Sequence, residues 1–146
     1  MPRHPTPPSQ LRVVAALLRV IIVDDDVTIL RSFRRALKLR RPAWEVTTLS
    51  SASEALELLA QSPFEVFVTD YEMPNVDGVQ LLGQVRAEFP KVRRVVLSGR
   101  PAETAVGLTP NVVEAWVCKG HGVDELVEAV EALVTKAPVF TKLSTG

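Results

Sequence analysis

The sequence predicts one α/β domain, a parallel sheet covered by helices on both faces. Three observations carry this. Short β-branched runs alternate with helical patterns through the middle of the chain. Those runs are continuous rather than alternating, as in strands buried on both faces. The length of 146 residues, with 47% apolar and 23% charged side chains, suits one core and is short for two domains.

The elements follow in order. Val20-Ile21-Ile22-Val23 is the first strand. Ile29, Leu30, Phe33, Ala36 and Leu37 recur at helical spacing until Arg41-Pro42 stops the helix. Trp44 to Leu49 is the second strand. Ser51-Ala52-Ser53-Glu54 is a capping box that opens a helix through Ala60. Phe64 to Thr69 is the third strand. Val79, Leu82, Val85, Arg86 and Phe89 lie on a helix ended by Pro90. Val92 to Leu97 and Ala115 to Cys118 are strands four and five. Leu126, Val127, Val130, Leu133 and Val134 form the apolar stripe of the last helix. Right-handed crossovers between parallel strands then put helices on both faces. The weak unit is Pro101 to Asn111, where the helical period is poor and a distorted fourth helix is expected.

Residues 1–18 read as an N-terminal extension whose first ten residues hold four prolines. Residues 19–137 form the domain, and 138–146 read as a loose C-terminal tail. The apolar part of the extension is too short for a membrane helix and lacks a cleavage site. Seventeen Lys+Arg balance seventeen Asp+Glu, so overall charge gives no reason to expect nucleic acid or an anionic membrane as partner. The single cysteine, Cys118, excludes an internal disulfide and a cysteine-based zinc site.

In an open α/β sheet, ligands bind beyond the carboxyl ends of the strands. Asp24, Asp25 and Asp26 follow strand one, Asp70 follows strand three, Ser98 follows strand four and Lys119 follows strand five. Carboxylates gathered at one edge repel unless a cation compensates them. With oxygen ligands alone the fitting ion is Mg²⁺ or Mn²⁺. Lys119 and Ser98 add cationic and hydroxyl donors for an anion. Such a pocket, once metallated, suits a phosphoryl group, and an Asp carboxylate can be its nucleophile.

The segments Val23-Asp24-Asp25-Asp26, Val68-Thr69-Asp70-Tyr71-Glu72-Met73-Pro74 with Asp77-Gly78, Val96-Leu97-Ser98-Gly99 and Val117-Cys118-Lys119 resemble, in that order, the CheY-like receiver domain of two-component response regulators. The likeness covers about residues 19 to 136. It implies a flavodoxin-like doubly wound sheet in the strand order 2-1-3-4-5. It implies that Asp70 is the phosphoacceptor and that Asp24, Asp25, Asp70 and the backbone carbonyl of Glu72 hold the metal. Ser98 and Lys119 match the residues that bind the phosphoryl group. Ser98 and Trp116 match the switch positions. Two departures stand out: Gly120 occupies the place of a proline, and Trp116 exceeds the usual Tyr or Phe.

The function implied is a stand-alone, cytoplasmic receiver. It would take a phosphoryl group from a phosphohistidine and signal through the surface of its fourth helix, fifth strand and fifth helix. It would phosphorylate and dephosphorylate itself without being an enzyme with a separate substrate. The implied partners are a sensor histidine kinase or histidine phosphotransfer protein, a downstream protein, and a second copy in a homodimer. Neither direct DNA binding nor membrane binding is expected. The alternative is an interaction module of the same fold that works without phosphorylation. A Glu72–Arg100 ion pair, flanking the path of the attacking water, is expected to prolong the phosphorylated state.

Plainer readings stand beside these. Asp24 to Asp26 are also what a helix N-cap looks like. Trp116 reads as a packing residue, Cys118 as a small hydrophobe in the core, and His121 as solvated. Arg31, Arg34, Arg35, Lys38, Arg40 and Arg41 form the one local basic excess. It reads as a solvated helix face or a docking surface for an acidic partner.

Overall fold

The computed structural model describes residues 18–101 and 111–145, with side chains through residue 135. Its centre is a five-stranded parallel sheet. The strands are β1 (Arg19–Val23), β2 (Glu45–Leu49), β3 (Val66–Asp70), β4 (Arg93–Ser98) and β5 (Ala115–Cys118). They lie in the order β2-β1-β3-β4-β5, as the resemblance implied. Helices α1 (Val27–Arg40), α2 (Ala52–Gln61), α3 (Gly78–Glu88) and the C-terminal helix (Asp124–Thr145) flank the sheet.

The continuous apolar runs are explained by two cores, one on each face. Val20 and Ile22 of β1 join Val66, Val68, Val95, Leu97 and Val117 under α1 and the C-terminal helix. Ile21 and Val23 turn the other way and pack with Phe67 and Val96 under α2 and α3. A two-residue side-chain period therefore feeds both layers, and no position on β1 is left for water except Arg19. Each fully buried Ile or Leu contributes about 2 kcal/mol of apolar burial. The edge strand β2 is only half-buried.

The helix starts follow local chemistry. Asp26 caps α1, its Oδ1 accepting the N–H groups of Thr28 and Ile29 at 2.9 and 3.3 Å. Ser51 caps α2 through the N–H of Glu54 at 3.3 Å. Asp77 caps α3 through the N–H groups of Val79 and Gln80.

The structure adds to the sequence reading in three places. Leu18, read as the end of the extension, is 1% exposed and belongs to the core. The C-terminal helix continues to Thr145, through the stretch read as a loose tail. Between β3 and α3 stands an unforeseen hairpin of two two-residue strands, Glu72–Met73 and Val76–Asp77. Pro74 and Asn75 form its turn, with Asn75 at a φ of 63°. The distorted fourth helix expected over Pro101 to Asn111 falls on residues 102–110 except at its two ends, and most of the expected extension on residues 1–17. Both lie outside the described residues.

Candidate functional site at the carboxyl edge

Strand pairing assembles the site. Val23 of β1 is level with Thr69 of β3, Asp70 is level with Leu97 of β4, and Ser98 is level with Cys118 of β5. The residues at or just past these ends therefore share one edge. Asp24 is fully buried, Asp70 is 6% exposed and Ser98 is 2% exposed. Asp25 stands out in solvent. Carboxylate oxygens of Asp24, Asp25 and Asp70 all lie within 4.8 Å of one another.

Lys119 ties these acids together. Its Nζ is 2.8 Å from Oδ2 of Asp24 and 3.1 Å from Oδ1 of Asp70. Strands lie about 4.8 Å apart, so a residue at the end of β5 must reach past β4 to meet β3 and β1. Only a long side chain can do this. The backbone turns with it, since Lys119–His121 is a short 3₁₀ turn closed by Gly122 at a φ of 75°.

The electrostatics are unbalanced. Burial pushes the Asp70 carboxyl above its ordinary range, and the neighbouring Asp24 charge pushes it further. Lys119 and a backbone hydrogen bond from Glu72 oppose that rise without cancelling it. Burial would lower the Lys119 ammonium, but the two carboxylates outweigh burial and raise it. Oδ1 of Asp24 accepts the N–H of Asp26 at 3.0 Å. Its buried Oδ2 is in ion-pair contact with Lys119 but has no well-aimed hydrogen bond among the described residues. Three carboxylates facing one ammonium, all oxygen donors, form the kind of acidic pocket that suits Mg²⁺.

Of the three consecutive aspartates, the N-cap reading applies to Asp26 alone. Asp24 and Asp25 face Asp70 instead. Ser98 uses its Oγ to accept the N–H of Arg100 at 3.0 Å, which leaves its own O–H free to donate. The side chain of Glu72 turns outward, and Arg100 Nη2 meets its Oε1 at 3.4 Å, the ion pair expected from the resemblance. Trp116 does not enter the acidic pocket. Its indole N–H donates to the carbonyl of Arg100 at 2.9 Å. Its ring lies 5.1 Å from that of Tyr71, tilted by 56°. Cys118 is half-buried rather than fully in the core. His121 is exposed as expected and pairs with Glu125 at 2.7 Å.

Gly78 is a contributor that residue chemistry alone missed. A Cβ there would lie 2.2 Å from the carbonyl oxygen of Asp70. Its N–H donates to the carbonyl of Tyr71 at 3.0 Å. The bare backbone lets α3 start directly against the Asp70 loop. The Asp77-Gly78 pair after the Asp70 segment was the signal available in the sequence.

Comparison with known proteins agrees with this fold. The response regulator receiver domain family matches residues 20–131. The hydrogenase transcriptional regulatory protein HoxA of Cupriavidus necator is 33% identical over 120 residues, covering 77% of this chain and 24% of HoxA. The response regulator TrrA of Thermotoga maritima, in complex with Mg²⁺–BeF, is 26% identical with a TM-score of 0.66, covering 80% of this chain and 98% of TrrA. The chain spans between 22% and 52% of the length of the curated relatives it matches. The family is one of signalling proteins and not a classical enzyme family.

One expectation is corrected here. Neither a net charge of zero nor the reading as a stand-alone receiver gives reason to expect direct DNA binding. Yet HoxA is a transcriptional regulatory protein, and RcsB of Salmonella enterica has been solved bound to promoter rprA. RcsB is 24% identical with a TM-score of 0.69, covering 80% of this chain and 67% of that one. Net charge of a receiver says nothing about DNA contacts made by other parts of such regulators. No described helix is long and apolar enough to cross a membrane. With the acidic triad, the bridging lysine, the sheet order and the matched span together, the chain belongs to the response regulator receiver domain family.

Proposed function

We propose that this domain is a phosphoryl-accepting switch, with Asp70 as acceptor and a phosphohistidine as donor. One observation carries the reading: Lys119 bridges two buried aspartates inside a three-carboxylate cluster. Asp24, Asp25, Asp70 and the Glu72 carbonyl would hold Mg²⁺ or Mn²⁺, which supplies charge neutralisation for the phosphoryl oxygens. A carboxylate oxygen of Asp70 bonds to phosphorus as the P–N bond to the donor imidazole breaks. The electron pair leaves with the ring nitrogen, which then takes a proton. Lys119 shifts its contact from Asp70 to a phosphoryl oxygen. Ser98 donates its free O–H to another.

That movement would draw Ser98 away from the Arg100 N–H. Trp116 grips the carbonyl of the same residue, so β5 would feel the change. The Glu72–Arg100 pair lies at the rim and would hinder water from reaching the acyl phosphate. The likeness to HoxA supports transcriptional regulation as the output.

The test is intact mass after incubation with acetyl phosphate and Mg²⁺. We expect the mass of one phosphoryl group to be added, and to be lost with Asp70→Asn or with EDTA. Failure to gain mass, together with failure to form a beryllofluoride complex, would favour the phosphate-independent module.

A further inference from the structure

The basic face of α1 divides in two. Arg40 and Arg41 are neutralised by the C-terminal helix, through Asp124 at 2.8 Å and Glu131 at 2.6 Å. Arg31, Arg34, Arg35 and Lys38 have no acidic partner among the described residues. They recur at helical spacing, so four like charges share one stripe and oppose one another. They line one groove of about 440 Å³ with Trp44 and Val46 along its apolar side. Arg31 and Arg34 also line a second hollow of about 240 Å³, with Val27 and Thr48. The acid on β2, Glu45, is already taken by Arg19 at 2.7 Å. The strand itself is at the sheet edge, so its outer backbone groups have no strand partner among the described residues.

We propose that the groove between α1 and β2 is a docking site for an acidic polypeptide segment that carries an apolar anchor residue. Charge complementarity selects the acid, because four cations with no acidic partner among the described residues stand on one wall. The apolar side of the groove, exposed Pro42 and half-buried Val46 with the edge of the buried Trp44 beneath them, selects the anchor. An extended segment also finds the outer edge of β2, which has no strand partner among the described residues. A DNA duplex satisfies the charge but has nothing to place against Trp44 and Val46. This inference stands whether or not Asp70 accepts a phosphoryl group.

The test uses the full chain, labelled with ¹⁵N, and a fluorescein-labelled peptide of Asp and Glu around a central Leu. Binding is expected to perturb amides of 31–38 and 43–48 and to weaken with salt. The R34E/R35E variant is expected to bind at least about tenfold more weakly. R86E/K91E, the same charge change on α3 and the loop after it, is expected to stay within about twofold. An R34Q/R35Q variant, with circular dichroism on each protein, guards against loss of fold. Equal weakening by both charge reversals would overturn the proposal. So would a peptide with Ser in place of Leu binding as well, no peptide binding at millimolar concentration, or a DNA duplex or phosphatidylglycerol vesicles giving the same perturbations more tightly.

Discussion

The two ends of the central sheet handle buried charge in opposite ways. At the amino end, Arg94 is 6% exposed and fully engaged. Its guanidinium donates to the carbonyls of Val112, Val92 and Asn111 at 2.9, 2.9 and 3.0 Å. Glu114 pairs with Arg93 at 2.9 Å and accepts the backbone N–H of Arg94 at 2.9 Å. Arg19 similarly meets Glu45, Glu65 and Pro63 through side chain and backbone. At the carboxyl end, the two buried carboxylates of Asp24 and Asp70 share one lysine, Asp25 adds a third charge beside them, and a buried oxygen of Asp24 is poorly satisfied. The same strands thus carry a saturated edge that holds the fold and a frustrated edge poised to take a ligand. Natural proteins accept such instability where function needs it.

The comparison can be broken first at the amino end. Arg94→Ala would leave three carbonyls without their donor and remove the cation beside Glu114, so it should destabilise by about 3 kcal/mol in urea unfolding. A loss under about 1 kcal/mol would mean that the saturated edge does not hold the fold.

The carboxyl end should respond in the other direction. Asp70→Asn removes one of the crowded charges while Lys119 keeps Asp24. It should stabilise the metal-free protein by about 1 kcal/mol at neutral pH, a rise of roughly 3 °C in Tm. The sign follows from the raised Asp70 carboxyl. The folded state holds that proton more tightly than the unfolded state. Stability attributable to Asp70 therefore falls as pH rises through the interval from its ordinary value of 3.8 to its higher folded value. The gain from Asn should be full above that interval and vanish below it. A scan in which Asp70→Asn is less stable at neutral pH would refute the idea of a frustrated edge.

The smallest effect belongs to the rim. Arg100 and Glu72 are each 59% exposed, so Arg100→Ala should change stability by less than about 0.5 kcal/mol. Its expected signature is a shorter phosphorylated lifetime, followed by intact mass over time. An unchanged lifetime would remove the pair from the account of hydrolysis.

Much of this was readable before any coordinates. The β-branched runs at Val20 to Val23 and Val92 to Leu97 announce strands because burial on both faces leaves no polar position. Asp24, Asp70, Ser98 and Lys119 announce themselves because each stands where a predicted strand ends. Asp26 was ambiguous, since a carboxylate serves equally as a helix cap and as a ligand, and only the direction of its Oδ1 decides. Gly78 was silent in chemical terms, because what it contributes is the absence of a Cβ beside the Asp70 carbonyl. The two-residue strands around Pro74 and Asn75 were too short for any periodicity to register.

The sequence alone determined which residues stand at the strand ends, because apolar periodicity and helix stops are local properties of the chain. It also determined that the acids outnumber the lysine there. The tertiary structure decided which of them meet. Lys119 and Asp24 are far apart along the chain, and their 2.8 Å contact exists only because β4 and β3 lie between their strands in the order that packing allows. It likewise decided that Arg40 and Arg41 are neutralised while Arg31, Arg34, Arg35 and Lys38 are not. A single run of basic residues cannot specify that division, because the partners come from a helix nearly a hundred residues later whose position is set by the common core.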